Sequence, residues 1–199
     1  MIKNIINIGI PSKGRLKKDT LNIFKRKKLK LFSERGERDL FGKIKNFPNI
    51  KIIYLHAREC IDALSIGTVD ICVSGLDLLK ESEINTQNKI KIIKKYDFGI
   101  ANLVLAIPDL WLDVQTLLDL DEVADEFKKK KKRLLRVSTK YENLTRGFLY
   151  SKGVTQFQIV KSLGSTEVAP FTGTAEIISD ITSTGATLKA NNLRILKDG

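Results

Sequence analysis

Glu176-Ile177-Ile178-Ser179-Asp180-Ile181-Thr182-Ser183-Thr184-Gly185-Ala186-Thr187-Leu188 is the stretch on which the reading of this chain turns. Apolar residues lead into one acid, then into small hydroxylated residues around a glycine. That order reads as a buried strand delivering Asp180 to its end, a tight turn over 183–187, and a short helix over 187–191. Such a turn directs backbone N–H groups and hydroxyls into one small volume at the positive end of a helix, where a phosphate monoester fits. Asp180, just before the turn, is placed to accept hydrogen bonds from sugar hydroxyls. Phosphate and adjacent diol together describe a ribose 5-phosphate. A plain strand followed by an ordinary glycine turn accounts for the same residues when the stretch stands alone.

Working outward, a second glycine turn lies near the start. Ile5 to Ile10 reads as a buried strand, and Pro11-Ser12-Lys13-Gly14-Arg15 turns from it into a helix beginning near Leu16. Leu21, Phe24 and Leu29 face inward from that helix, and its lysines outward. Ile50 to Leu55 is a further strand, followed by a helix from His56 through Leu64. Gly67 to Gly75 then gives a tight entry, a strand and another glycine turn. Ile90 to Lys95 and Ile100 to Ile107 read as two strands. The segment from Asp109 to Glu126 has acids and no Lys or Arg, with Leu120, Val123, Ala124 and Phe127 at helical spacing. Lys128 to Arg133 closes it, so both charge blocks complement one helix dipole. Strands over 134–137 and 157–160 flank a helix that ends near Gly153. Arg35 to Asp39 reads as a loop. His56, the single histidine, fits a structural role at a strand end better than a catalytic one. Gly67-Thr68-Val69-Asp70-Ile71 with Ser74-Gly75 echoes Gly173-Thr174-Ala175-Glu176-Ile177 with Thr184-Gly185, as expected of two like α/β lobes.

Composition narrows the class. With 199 residues the chain can bury roughly 70% of its unfolded surface. Hydrophobic residues make up 42% and charged residues 29%, the balance of an ordinary soluble globular protein. No apolar run reaches the ~18 residues of a membrane span, and no signal peptide opens the chain, so a cytoplasmic location is expected. Cys60 and Cys72 lack metal or redox spacing and read as buried free thiols. The net charge of +12 is concentrated: residues 1–60 hold 16 Lys and Arg against 5 Asp and Glu. That pole suits polyanions, triphosphate and pyrophosphate among them. Aromatic residues, 7% of the chain, are not interleaved with the basic ones, so no stacking platform for nucleic acid is legible.

Taken together, several stretches resemble the ATP phosphoribosyltransferases of histidine biosynthesis, in their short form. They are Ile10 to Leu16, Val69 to Leu79, Arg136 to Tyr141, Asn143 to Arg146, Gly164 to Pro170, and Asp180 to Leu193, where the 183–187 turn resembles the phosphoribosyl-pyrophosphate loop. The resemblance implies an α/β, two-lobed, periplasmic-binding-protein-like fold with a substrate cleft between the lobes. Lobe I is expected over 1–96 plus 190–199, and lobe II, carrying the phosphoribosyl-pyrophosphate loop, over 97–189. It further implies transfer of a phosphoribosyl group from phosphoribosyl pyrophosphate to N1 of ATP, with Mg²⁺ carried mainly by substrate phosphates and no protein metal cluster. A homodimer core within a hetero-oligomer that includes a histidyl-tRNA-synthetase-like regulatory subunit is implied, because the sequence ends before any histidine-binding domain. No nucleic-acid or membrane partner is expected.

Site roles follow residue by residue. Ser183, Thr184, Gly185, Ala186 and Thr187 are expected at the 5-phosphate, and Asp180 with Glu167 on the ribose side. Lys13, Arg15, Arg38 and Arg58 are expected to face pyrophosphate and triphosphate, with Ser74 and Gly75 also lining substrate. Relatives place an arginine slightly before His56-Ala57-Arg58, which leaves the role of Arg58 open. A non-catalytic two-lobed binding or sensor module for an anionic small molecule is the alternative, and a nucleic-acid binder the third reading.

Overall fold

Runs rich in isoleucine, leucine and valine supply most of the strands. The computed structural model describes residues 5–33 and 39–199. Arg38 and most of the expected loop at 35–39 therefore lie outside the described residues. The chain divides into two units, Met1–Gly99 and Ile100–Gly199.

In the first unit, β1 (Ile6–Pro11) leads to α1 (Gly14–Arg26), β2 (Leu31–Phe32), β3 (Phe41–Ile44) and β4 (Phe47–Leu55). Then come α2 (Ala57–Ser65), β5 (Ile71–Cys72), α3 (Leu76–Glu81) and α4 (Ile84–Lys89). The sheet order is β2-β3-β4-β1-β5, with β1 parallel to both β4 and β5. Ile10, Ile44 and Ile52 are buried at its centre, with Leu21, Phe24 and Leu29 packed on them as the helical spacing predicts. His56 caps α2 reciprocally: its Nδ1 accepts from the Arg58 amide at 3.4 Å, and its own amide donates to Glu59 Oε2 at 2.8 Å. Burial pushes the Cys60 and Cys72 thiols up to about 12 and about 11, which leaves both protonated and unreactive at neutral pH.

In the second unit, β6 (Asn102–Pro108) leads to α5 (Leu117–Lys131), β7 (Leu135–Thr139), α6 (Glu142–Ser151) and β8 (Phe157–Lys161). A 3-10 turn (Thr166–Val168), β9 (Ile177–Thr182), α7 (Ala186–Ala190) and β10 (Leu193–Ile195) follow. The sheet order is β10-β6-β9-β7-β8, with β7 parallel to β8 and β9. Leu105, Leu120, Leu135, Val137, Leu149 and Ile177 form the core on one face, and Val104, Ala106, Ile178 and Leu188 on the other. Thr116 caps α5 with Asp119, and Lys128 to Lys131 end it, so the charge blocks sit on the helix poles as expected.

Three expectations are corrected. Ile90 to Lys95 is not a strand: the run is irregular, takes no place in the first unit's sheet, and leaves Ile93 80% exposed. The strand expected within Gly67 to Gly75 is confined to β5, Ile71–Cys72. Residues 190–199, expected with the first lobe, belong to the second unit. There β10 pairs antiparallel with β6, Leu193 and Leu196 are buried, and Asp198 Oδ1 accepts the Leu117 amide at 2.8 Å. Burying two leucines and filling an open edge of β6 is the physical reason.

The internal echo holds at the level of individual hydrogen bonds. Gly67 and Gly173 both have positive φ, +77° and +69°. The Thr68 and Val69 amides both donate to Ala63 O, and the Thr174 and Ala175 amides both donate to Ala169 O. Asp70 exchanges two bonds with Asn7: its amide donates to Asn7 O at 2.9 Å, and its Oδ2 accepts the Asn7 amide at 2.8 Å. Glu176 does the same with Arg136, at 3.1 and 2.9 Å. Strands β5 and β9 then run parallel to β1 and β7 from Ile8↔Ile71 and Val137↔Ile177. Each unit therefore has the same inner triplet, β4-β1-β5 and β8-β7-β9.

Glu176 is also bound by Arg133 Nη2 at 2.9 Å and Arg136 Nη2 at 2.7 Å. Burial pushes its carboxyl up, but the hydrogen bonds from Arg136 and Arg133 outweigh burial and hold it at about 2. A depressed carboxyl stabilises the fold above its ordinary value of 4.5 and loses that contribution as pH falls toward about 2. Glu176→Gln is expected to lower stability at pH 7 by about 1.5–3 kcal/mol, the scale of one hydrogen-bonded charge. In urea unfolding the gap to wild type should narrow between pH 4.5 and pH 2; a gap independent of pH would contradict the pairing.

Candidate functional site

In open parallel sheets ligands bind outside the carboxyl ends of the strands. The sequence-predicted residues that the structure describes lie near or follow those ends in both units. In the second unit, Asp180 lies near the end of β9, Glu167 in the turn after β8, and the 183–187 loop directly after β9. Lys140, directly after β7, is the residue that sequence reasoning passed over. It sits inside a stretch quoted above for its resemblance, and its place beside the end of β9 depends on the parallel pairing of β7 with β9.

Burial pushes the Asp180 carboxyl up. The Ile181 amide, donating to Oδ1 at 2.8 Å, and the Lys140 charge oppose this, while the Glu167 charge adds to it; the net shift is upward. Two carboxylates and one cation from the ends of three adjacent parallel strands thus share one electrostatic neighbourhood. Beneath them runs a buried hydroxyl chain. Thr145 Oγ1 contacts Ser179 Oγ at 2.9 Å and Thr139 Oγ1 at 3.3 Å, and Thr139 Oγ1 accepts the Tyr141 amide at 2.9 Å. It ties α6 to the ends of β7 and β9 and fixes the backbone on either side of Lys140.

The loop after β9 is built on Gly185, whose φ is +71° and whose amide donates to Thr182 Oγ1 at 2.8 Å. That conformation calls for glycine; a Cβ there would meet only the tip of Ile195, Cδ1 at 3.3 Å. Ser183, Thr184, Ala186 and Thr187 are exposed, and Leu188 is buried, anchoring the loop on Val104 and Leu193. The Ala186 amide donates to Thr184 Oγ1 at 3.4 Å. The helix that follows begins at Ala186 and has only five residues, so the loop's own hydroxyls and amides are its main means of holding an anion.

In the first unit, Lys13 and Arg15 are exposed where β1 turns into α1, through Gly14 at φ +77°. Arg58 is exposed in the first turn of α2, after β4. Ser74 and Gly75 follow β5. Ser74 Oγ donates to Ala57 O at 2.6 Å, and a Cβ at Gly75 would lie 2.1 Å from Asp77 Oδ1. A carboxylate seated over Gly75 suits hydrogen-bond donors better than phosphate. Arg38 lies outside the described residues. Among the described residues no three His, Cys, Asp or Glu side chains gather to hold a metal, and no helix is long and apolar enough to cross a membrane.

Because the folded carboxyl of Asp180 is raised, its charge costs stability above that raised value, and the cost vanishes once both folded and unfolded forms are protonated. Asp180→Asn is therefore expected to unfold at higher urea concentration than wild type at pH 7. The advantage should fade to nothing below pH 3.8, and an Asn variant less stable than wild type at pH 7 would contradict it.

Comparison with known proteins agrees with this architecture. The family model described as HisG, ATP phosphoribosyltransferase, matches residues 56–198. An ATP phosphoribosyltransferase of Nitrobacter winogradskyi is 48% identical over 192 residues, covering 96% of this chain and 59% of the relative. One from a Bradyrhizobium species is 46% identical over the same coverage. The chain thus spans about three fifths of the length of the curated relatives it matches. Among solved structures, the ATP phosphoribosyl transferase (HisG:HisZ) complex from Thermotoga maritima superposes with a TM-score of 0.70 at 26% identity, over 98% of this chain and 83% of that one. An ancestral amino acid-binding protein, at 13% identity and a TM-score of 0.50 over 98% and 78%, shares the two-lobed fold alone. With its matched segment covering both the Ser74–Gly75 turn and the Asp180 loop, the chain belongs to the ATP phosphoribosyltransferase family.

Proposed function

We propose that this chain transfers the 5-phosphoribosyl group of phosphoribosyl pyrophosphate to N1 of ATP, the first step of histidine biosynthesis, in the cytoplasm. The observation that carries the reading is the grouping of Asp180, Glu167 and Lys140 beside the hydroxyl loop at the end of β9. Ser183, Thr184, Gly185, Ala186 and Thr187 hold the 5-phosphate. Asp180 and Glu167 accept hydrogen bonds from the ribose hydroxyls. Lys13, Arg15, Arg38 and Arg58 face the pyrophosphate and triphosphate. Ser74 and Gly75, beside the Asp77 carboxylate, take the donor-bearing part of the nucleotide.

The reaction needs no strong base. The N1 lone pair forms the new bond to the anomeric carbon, the carbon–oxygen bond to pyrophosphate breaks, and its electron pair leaves with pyrophosphate. Positive charge grows on the ribose as this happens, and carboxylates fixed nearby offset it; positioning and electrostatics supply the acceleration. Asp180 and Glu167, which face the ribose hydroxyls, offer too few oxygens to enclose a divalent ion, so Mg²⁺ would ride mainly on the substrate phosphates and would offset their charge there. A homodimer joined to a regulatory subunit resembling histidyl-tRNA synthetase is the proposed assembly. The Thermotoga maritima neighbour, itself a two-component complex, supports it.

Pyrophosphate release is expected from ATP and phosphoribosyl pyrophosphate together and from neither alone; a non-catalytic binding module would bind one anion and release nothing. Asp180→Asn should lower turnover about 10²–10³-fold, the scale of one lost charge-stabilising contact, and unchanged turnover would remove Asp180 from the reaction. Thr187→Val keeps the side-chain volume and deletes one hydrogen bond to a charged group, roughly 1.5–3 kcal/mol. Calorimetry should show weaker phosphoribosyl pyrophosphate binding and unaltered ATP binding; equal affinity for both ligands would displace the 5-phosphate from this loop.

A further inference from the structure

Outside the strand ends, a pocket of about 500 Å³ lies within the first unit, between the second half of α1 and residues 94–98. Helix α1 returns antiparallel to β1, so its last turns lie at the amino end of the sheet, away from Lys13 and Arg15. Arg26 and Lys27 line the pocket from the helix, and Lys94 and Lys95 from the facing segment, against the acids Asp19 and Asp97. The lining therefore carries a surplus of two positive charges. The Tyr96 and Phe98 rings, which also line it, lie 5.5 Å apart with 27° between their planes, and Lys94 Nζ sits 5.2 Å from the Tyr96 centroid. Tyr96 is 41% exposed, so one ring presents surface to a ligand.

Cations at the end of α1 are accounted for by the helix dipole. The second pair, Lys94 and Lys95, comes from an irregular segment with no dipole to complement, and the stacked rings need no cations for their packing. Cations that bind phosphate, an aromatic face that stacks on a base, and carboxylates that accept from hydroxyls or an exocyclic amine are the parts of a nucleotide site. The volume falls within the range of small-ligand pockets, about 300–1,000 Å³. We propose that this pocket, formed by Arg26, Lys27, Lys94, Lys95 and the Tyr96–Phe98 stack, is a second binding site for a nucleoside monophosphate, separate from the strand-end site. The inference stands independently of the proposed transferase reaction.

Photolabelling of the full chain with 8-azidoadenosine 5′-monophosphate, followed by peptide mapping, tests it. Label is expected on the peptide containing Tyr96 and Phe98, competed by adenosine 5′-monophosphate and unaffected by phosphoribosyl pyrophosphate. Tyr96→Ala, at an exposed ring, should weaken competition about tenfold, a stacking contribution of about 1.4 kcal/mol. Arg26→Glu with Lys95→Glu should abolish labelling there, with the unfolding midpoint recorded to confirm a native fold. Turnover with the two proposed substrates should be unchanged in both variants. Label confined to the 183–187 loop or absent from residues 94–98 would overturn the proposal. So would competition by inorganic phosphate as strong as by the nucleotide, which would mean a simple anion site. A short single-stranded RNA competing more tightly than the mononucleotide would likewise overturn it in favour of a nucleic-acid surface.

Discussion

A carboxylate that accepts the amide of the adjacent strand sets the geometry of each half of this protein. Glu176 accepts the Arg136 amide and donates its own amide to Arg136 O, so β9 enters beside β7 in a single register. Asp70 does the same for β5 beside β1. A slip of one residue would exchange the faces of a strand, exposing Ser179 and burying Asp180. The Glu176 clamp therefore decides, four residues upstream, that Asp180 stands at the strand end beside Lys140 and Glu167. Arg133 and Arg136 hold that clamp charged across the whole physiological pH range.

The two carboxylates of β9 and its entry turn illustrate how environment divides labour. Glu176 is met by two guanidinium groups and a backbone amide, and its proton affinity falls to about 2. Asp180 has one backbone amide and a lysine against burial and a second acid, and its affinity rises. The first arrangement stabilises the fold, and the second holds an unfavourable charge near the end of a strand. Perturbation by burial at a strand end is the pattern expected of a functional group.

Much of this was legible in the residues. The strand, glycine turn and helix around Asp180 appear where the residue types placed them, because Gly185 needs positive φ and the preceding isoleucines need burial. The short glycine–acid echo pointed to two like lobes, and its hydrogen bonds repeat. The misreadings have one physical root, since propensity does not say which edge a segment will meet. Ile90 to Lys95 is rich in isoleucine yet finds no ladder, while Leu193 and Leu196 close an edge of the second sheet. Lys140 was unremarkable in sequence because its significance is its distance from β9. Likewise Tyr96 and Phe98 are some seventy residues from Arg26 and Lys27, and only the fold brings those rings to those cations.

The central claim is that the carboxyl end of β9 and its flanking turns hold the phosphoribosyl group. Titration of ¹⁵N-labelled protein with phosphoribosyl pyrophosphate, followed by amide chemical shifts, tests it residue by residue. The account predicts the largest shifts at Ser183 to Thr187, with smaller ones at Lys140, Glu167 and Ile181, and silence at Glu176. Shifts concentrated away from these strand ends, with the 183–187 amides unmoved at saturation, would contradict it.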